Sequence, residues 1–422
     1  MQALSPIPLA SPTAPTSPVR SVAVLAAALG LLTFMPVGLA FLGVLGLLLA
    51  LLLDKSHWQP RWQQVRPWLW LVGLPLLWAL LVLATQGWHE DSATRLFHLF
   101  RVALLLCLGL ALLPRERWLA LYGLMAGAVF AAAVMLLNQV WALPDWAIWR
   151  AMLTVTGNSS SQKFIMLAVA AAAALWLGLQ AGLDWRRRLP WLLASALFAG
   201  VVAVLSVSRN SHLVLLFLPC VVLALRYRGW RLRAAGLLLL LAGATAVWQL
   251  SPTLQPRFAT ATQDLQHFAA TGELGGSASV RWRMYQRAWQ GMSEQPLLGT
   301  GLGSWLPLWR AEMADENPAM AEINNPHNDL LLTGMEKGVP ALLLLLALLL
   351  ALGWHSARSS RSDALAGVAH LLVWTVFITA LVNAPFRDAN LGLSMLWLLA
   401  VFVAGRRSRS DQPSALNQAS GR

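Results

Sequence analysis

Charged side chains are scarce, at 12% of 422 residues, against about 25% in soluble domains. With 58% hydrophobic residues, that shortage excludes an ordinary water-soluble domain. The short alternating apolar segments of a membrane β-barrel are missing as well. Cysteine is nearly absent. Cys107 and Cys220 lie far apart inside apolar runs, so they read as packing or lipid-facing residues rather than a disulfide or metal pair. No His, Cys and carboxylate set has metal-ligand spacing. The glycine-rich "PLLGTGLGSW" follows no strand and precedes no Lys-Ser/Thr, which excludes a nucleotide-binding loop. The first residues, "MQALSPIPLASPTAPTSPVR", have no basic region leading directly into an apolar core, so they read as a disordered tail rather than a signal peptide.

What is abundant is long apolar sequence. Runs close to the roughly 20 residues that cross a bilayer recur along the chain. They predict an all-α polytopic membrane protein of about twelve transmembrane helices. The expected spans are 20–35, 37–53, 67–85, 96–114, 117–140, 162–182, 189–208, 211–226, 232–250, 328–354, 364–384 and 389–405. The first two, joined by "MPVG", read as a tight hairpin. The expected units are a tail at 1–19, nine helices in 20–250, a polar loop at 251–326, three helices in 327–405 and a second tail at 406–422.

The net charge of +13 is carried in loops, not in a nucleic-acid patch. Arg20, Lys55, Arg61, Arg66, Arg115, Arg117, "WRRR", "RYRGWRLR", Arg358, Arg361 and "RRSR" fall in alternate loops. By the positive-inside rule those loops and both termini face the cytoplasm. Most acids then lie outside, and no Asp-x-Asp pair is among them. A divalent ion gripping a phosphate group is therefore not expected, nor is any other cofactor.

The loop at 251–326 is far longer than the other outer loops, and loops of that length are usually functional. Within it, Ser277–Gln295 reads as an amphipathic helix capped by Ser277 or Ser279. Val280, Met284 and Ala288 share one face, and Trp282, Tyr285 and Trp289 a neighbouring one. The helix is expected to lie along the outer membrane surface.

Outer cations run against the topology's own bias. Arg209 sits between two spans with almost no loop, where a cation is costly without an anion. Snorkelling to headgroups or a salt bridge is one reading, and anion binding is the other. Arg281, Arg283 and Arg287, each an ordinary surface residue when taken singly, join Arg209 and Lys163 as a candidate basic pocket. Guanidinium matches phosphate bidentately, so the ligand it suggests is a lipid-borne phosphate or diphosphate. The segment "INNPHNDLLLTG" closes the list. Asn325 reads as a helix N-cap, with Pro326 first and His327 in the first turn. The positive helix end then favours a neutral imidazole, able to accept a proton. The alternative is a histidine that merely hydrogen-bonds at the interface. Asn324, Asn325, Asn328 and Asp329 crowd the same mouth. Glu336 and Lys337 are expected to pair with each other or with Arg387.

Three stretches resemble the O-antigen ligase family of bacterial envelope glycosyltransferases: "SVSRNSHL", "RWRMYQRAWQGMSEQPLLGTGLGSW" and "NNPHNDLLLTGMEKG". The resemblance extends to about twelve spans with one large loop before the last three. It implies a GT-C-like glycosyltransferase of the bacterial inner membrane with its active site on the periplasmic face. The donor would be a glycan on undecaprenyl diphosphate and the acceptor a sugar hydroxyl of lipid A-core. Transfer would be en bloc, inverting and metal-independent. His327 would be the general base, and Arg209 and Arg281 would hold the diphosphate. Arg283, Arg287 and Lys163 complete the expected donor-binding set, supported by Asn325, Asn328, Asp329, Tyr285, Glu336 and Arg387.

The same motifs occur in O-antigen polymerases and protein O-oligosaccharyltransferases. Polymerases are expected to carry two large outer loops, and the oligosaccharyltransferases a longer soluble C-terminal part. From another class, a secondary transporter would want charged or broken helices at the midplane and an internal repeat, and neither stands out. A scaffold leaves the polar mouth around His327 unexplained.

Overall fold

The structure is a computed structural model, describing residues 17–153, 158–180, 182–250 and 254–403. The expected tails fall outside these bounds except for residues 17–19. Among the described residues every regular element is helical. The first helices are α1 (Ser17–Leu32), α2 (Val37–Leu53), α3 (Trp58–Val65), α4 (Leu69–Gln86), α5 (Ser92–Leu110) and α6 (Pro114–Val140). There follow α7 (Ala147–Leu153), α8 (Asn158–Gly178), α9 (Trp185–Leu205), α10 (Arg209–Arg226) and α11 (Trp230–Leu250). Polar helices α12 (Leu254–Thr271), α13 (Ser277–Glu294) and α14 (Trp305–Glu316) precede α15 (Asp329–Ser359), α16 (Ala364–Val382) and α17 (Ala389–Phe402).

Among the described residues, eight helices are long and apolar enough to cross a membrane: those containing α4, α5, α6, α8, α9, α10, α15 and α16. Three further apolar helices, Ser21–Leu32, Val37–Leu53 and Leu391–Phe402, are shorter. The helix α11, also expected as a span, lies partly outside the described side chains and is not counted here. Composition and length therefore make this a polytopic helical membrane protein.

Small residues decide where helices come closest. Lipid tails are as apolar as leucine, so helices in a bilayer associate by close packing rather than by the hydrophobic effect. The alanine run of α8 is buried from Phe164 to Ala174 and is surrounded by α9, α10, α16 and α17. The helix α1 lies against α6, where Gly30, Gly123 and Gly127 bring the backbones together. A Cβ on Gly127 would stand 2.7 Å from the Leu31 carbonyl oxygen, and one on Gly123 would overlap Ala27.

At the end of the bundle away from the polar helices, Arg61 is buried between two carboxylates. It donates to Asp54 at 2.7 Å and to Glu116 at 2.7 and 2.8 Å. Arg117 is buried beside it, donating to the Leu112 and Val403 carbonyls. Two cations read from the sequence as loop charges are thus internal fasteners.

At the other end, α13, α14 and the start of α15 form a separate small core around Met284, Trp305, Trp309 and Met335. Gly276 is the N-cap of α13, and of the two expected serines Ser279 takes part, its hydroxyl accepting the Gly276 amide at 3.2 Å. Asp264 of α12 accepts from the Ala278 and Ser279 amides at 2.8 and 2.9 Å and from the Ser279 hydroxyl. Burial pushes its carboxyl upward, but these hydrogen bonds outweigh it and hold the group below the usual carboxylate range. Val280, Met284 and Ala288 face inward as expected, while Trp282 and Trp289 are exposed.

Replacing Gly123 by leucine should loosen α1 from α6 and destabilise the protein by about 1–3 kcal/mol, the usual cost of overpacking. Thermal unfolding of the purified protein in detergent checks this, with exposed Gly200 as the control site.

Candidate functional site

Helix α15 is broken. Gly338 has φ 79° and ψ 171°, so the helix runs in two pieces. A break inside lipid must not leave backbone groups bare. The loop after α13 satisfies them. Thr300 donates its amide to the Met335 carbonyl at 2.7 Å, and Val339 donates to the Pro296 carbonyl at 2.7 Å. Gly299, at φ 70°, lies so close to the Met335 carbonyl that a side chain there would collide with it. The glycine-rich turn therefore exists to lie against the broken helix. A transporter-like feature not apparent in the sequence is present, although it is plugged by protein.

The break brings Glu336 to Arg95 of α5. The Arg95 Nε lies 2.8 and 2.9 Å from the two Glu336 carboxylate oxygens, and both side chains are buried. Glu336 thus pairs with neither Lys337 nor Arg387, as the sequence had suggested, because α5 supplies a nearer cation. Arg95 also meets Asp91 at 3.0 Å and donates to the Asn324 carbonyl. Arg387 donates to the same carbonyl and lies 3.4 Å from Asp91. Two guanidinium groups therefore clasp the backbone three residues before His327. Between α4, α5 and α15 lies a cavity of about 120 Å³, with leucine and valine walls and a charged end at Arg95, Glu336, Lys337 and Arg387.

The turn carrying His327 differs from the sequence expectation. The N-cap of α15 is Asn328, whose Oδ1 accepts from the Leu331 amide at 2.9 Å, and the helix starts at Asp329. Asn325 instead accepts from the His327 amide at 2.9 Å, an Asx turn that keeps Pro326 out of the helix. His327 takes φ 52°, alone among the described non-glycine residues in having positive φ. Such a conformation is uncommon for a histidine and persists only where surroundings impose it. They do so here. The Tyr285 hydroxyl donates to the His327 carbonyl at 3.4 Å. The Asp329 amide donates to the Asn383 carbonyl at 3.2 Å, and the Asp329 carboxylate accepts from the Phe386 amide at 2.7 Å. Trp305 and Trp309 stack and donate to the Ile323 and Met320 carbonyls, fixing the approach to the turn.

The His327 ring is half-buried. Burial lowers its pKa, Arg281 lowers it further, and a hydrogen bond with the Asn383 side chain opposes both without reversing them. The imidazole is therefore neutral at pH 7, for reasons of burial and charge rather than of a helix end. Burial likewise raises the Tyr285 phenol, against a smaller opposing effect of Arg281.

Arg281 acts on His327 and also on Arg209, where Arg257 of α12 adds a third positive charge. Among the described residues, no carboxylate stands within ion-pair distance of Arg209, Arg257 or Arg281. Arg257 had no signal in the sequence beyond its place in the long loop. Arg283 and Arg287 are different. Arg283 meets Glu312 at 2.9 Å and Glu316 at 3.7 Å, and Arg287 meets Glu312 at 3.3 Å. They fasten α13 to α14 and are withdrawn from anion binding. The Lys163 ammonium is buried without a hydrogen-bond partner, but it is not among the charges acting on His327. Among the described residues no group of His, Cys, Asp and Glu has the arrangement of a metal site.

Residues 193–346 match the family model for O-antigen ligase. The matched segment runs from within α9 into α15 and contains Arg209, Arg257, Arg281 and His327, but not Lys163, Asn383 or Arg387. The resemblance carried by the sequence motifs is thereby shown. The match supports saccharide transfer of the ligase and polymerase type, on a multi-pass membrane protein. No curated protein matches the chain.

Removing one member of the Arg95–Glu336 pair should be worse than removing both. Arg95→Met or Glu336→Leu alone is expected to cost about 3–5 kcal/mol by stranding a buried charge. The double variant should recover most of that loss, as read by detergent-solubilised thermal unfolding.

Proposed function

We propose that the protein is an O-antigen ligase. It moves a polysaccharide as a block from undecaprenyl diphosphate to a sugar hydroxyl of lipid A-core on the periplasmic face of the inner membrane. The observation that carries this reading is the meeting of a neutral, clamped imidazole with guanidinium groups that have no carboxylate partner. An acid–base group beside an uncommitted anion site suits transfer away from a diphosphate.

His327 takes the proton from the acceptor hydroxyl as its oxygen attacks the anomeric carbon. The bond from that carbon to the diphosphate oxygen breaks on the opposite face, so configuration inverts. The leaving diphosphate gains negative charge, which Arg209 and Arg281 offset, with Arg257 adding to the same field. The imidazolium then releases its proton to water. A diphosphate is already a competent leaving group, so the protein's task is mainly positioning and charge stabilisation. The apolar cavity between α4, α5 and α15 suits a lipid-linked substrate. Asn325, Asn328, Asp329, Tyr285, Glu336 and Arg387 hold the turn rather than touch the reacting atoms. Lys163 remains a secondary donor-side candidate.

A repeat-unit polymerase would use the same donor and the same residues with another glycan as acceptor. Purified protein given lipid-diphosphate glycan and either lipid A-core or a second glycan distinguishes the two by product.

His327→Ala should insert normally and lose about 10²–10⁴-fold in rate, the usual span of general-base help. Full-length lipopolysaccharide banding from this variant in a ligase-null strain would refute the assignment. Arg281→Lys should also be poor, because an ammonium cannot grip a diphosphate bidentately. Arg283→Ala should retain most activity. A base must be neutral to act, and the His327 pKa is lowered. The acid limb of the pH–rate profile at saturating donor is therefore expected to lie below the ordinary histidine range, and a limb at or above that range would contradict the assignment.

A further inference from the structure

We infer that Asn383, outside the segment matched to the family, is a positioning residue for His327. It holds one ring nitrogen and leaves the other to face the acceptor hydroxyl. This inference rests on the general-base reading above.

The argument begins with backbone geometry. Asn383 ends α16 in an extended conformation and is buried. Its carbonyl accepts the Asp329 amide, two residues beyond His327, so the two chain segments are stitched side by side. Its Oδ1 accepts the amide of Ala384 at 2.9 Å, which fixes the side-chain rotamer. The following turn cannot drift. Asp329 accepts the Phe386 amide, and buried Arg101 of α5 donates to the Phe386 and Asp388 carbonyls at 3.0 and 3.1 Å. The carboxamide is thus a fixed object beside a fixed ring, and the two side chains hydrogen-bond.

Chemistry supplies the rest. A neutral imidazole has one N–H and one lone pair, and the hydrogen bond made by one nitrogen decides which tautomer is present. Asn383 Oδ1 accepts the ring N–H, so the lone pair lies on the other nitrogen. A carboxamide does this without adding charge. A carboxylate in its place would favour the imidazolium and spoil the base near neutrality. The charge acting on the ring is Arg281 of α13; Tyr285 of α13 meets the His327 carbonyl, Asp329 of α15 follows two residues on, and Arg387 of the α16–α17 turn meets the Asn324 carbonyl. Arg95 of α5 reaches the turn through the Asn324 carbonyl, and Asp91, just before α5, pairs with Arg95 and Arg387. None of these offers the ring a neutral acceptor.

The test uses the full-length protein with donor and acceptor lipids, comparing Asn383→Asp and Asn383→Ala with His327→Ala. Asn383→Asp is isosteric and keeps an acceptor for Ala384. An opposite charge beside the ring typically raises a pKa by about 1–3 units. The acid limb of the pH–rate profile should therefore move up by about one unit or more. The His327 signal in an NMR titration of histidine-labelled protein should move with it. Asn383→Ala should lower kcat by roughly 10- to 100-fold, within the span of general-base help, while KM for the donor stays within about twofold. An unmoved limb and unmoved His327 titration in Asn383→Asp would overturn the inference. So would an Asn383→Ala variant that loses donor affinity at constant kcat. Activity retained by His327→Ala would instead overturn the general-base reading itself, so the two failures are distinct.

Discussion

The site depends on one buried ion pair. Arg95 reaches from α5 to Glu336 on the short first piece of α15, and the same guanidinium holds Asp91 and the Asn324 carbonyl. Burying two charges is expensive unless their hydrogen-bonding capacity is filled. Here Arg95 meets two carboxylates and a carbonyl, and three segments are brought to one place. Together with the hydrogen bonds from Thr300 to Met335 and from Val339 to Pro296, this pair holds the broken end of α15 beneath the turn that presents His327. The strained backbone at that residue is tolerable because hydrogen bonds on both sides of it leave no alternative of comparable energy.

The break in α15 and the glycine loop are two halves of one solution. A helix interrupted in lipid exposes a carbonyl and an amide that water cannot reach. The loop from Pro296 to Thr300 supplies both partners, and Gly299 between them lies so close to the break that a side chain there would collide. The amphipathic helix α13 is thereby tied to α15 at its C-terminal end and to α12 through Asp264 at its N-terminal end. Arg281 lies between these two anchors. That explains how a helix outside the apolar bundle can present a cation at a defined place.

Local pattern carried much of this into the sequence. Helical class, the inward face of α13 and the polar mouth at His327 all follow from periodicity and composition, which depend on near neighbours. Partnerships between distant segments did not come through. Arg95 sits in "SATRLFHLFRVALLL", where three basic residues recur at every third position, a signal that was overlooked because the run reads as a span. The pairing of Arg283 and Arg287 with Glu312 depends on how α14 folds back. The N-cap of α15 was placed three residues early, because Asn-Pro resembles a helix start and only an Asx turn at Asn325 rules it out. The count of spans suffers differently. Short helices such as α1 and α2 are apolar throughout, and length alone does not say whether they cross.

The buried cluster at the far end has a consequence for how the protein's electrostatics are understood. Arg61 acts as a bare cation while the chain is threaded into a bilayer, when the positive-inside bias operates. In the folded bundle its charge is met by two carboxylates, Asp54 and Glu116. The formal net charge of +13 already counts those acids, so pairing leaves the total unchanged and alters only where the positive potential lies. What an anion on the outer side would meet is the small remainder of arginines left once the internal pairs have formed, concentrated by subtraction rather than by abundance.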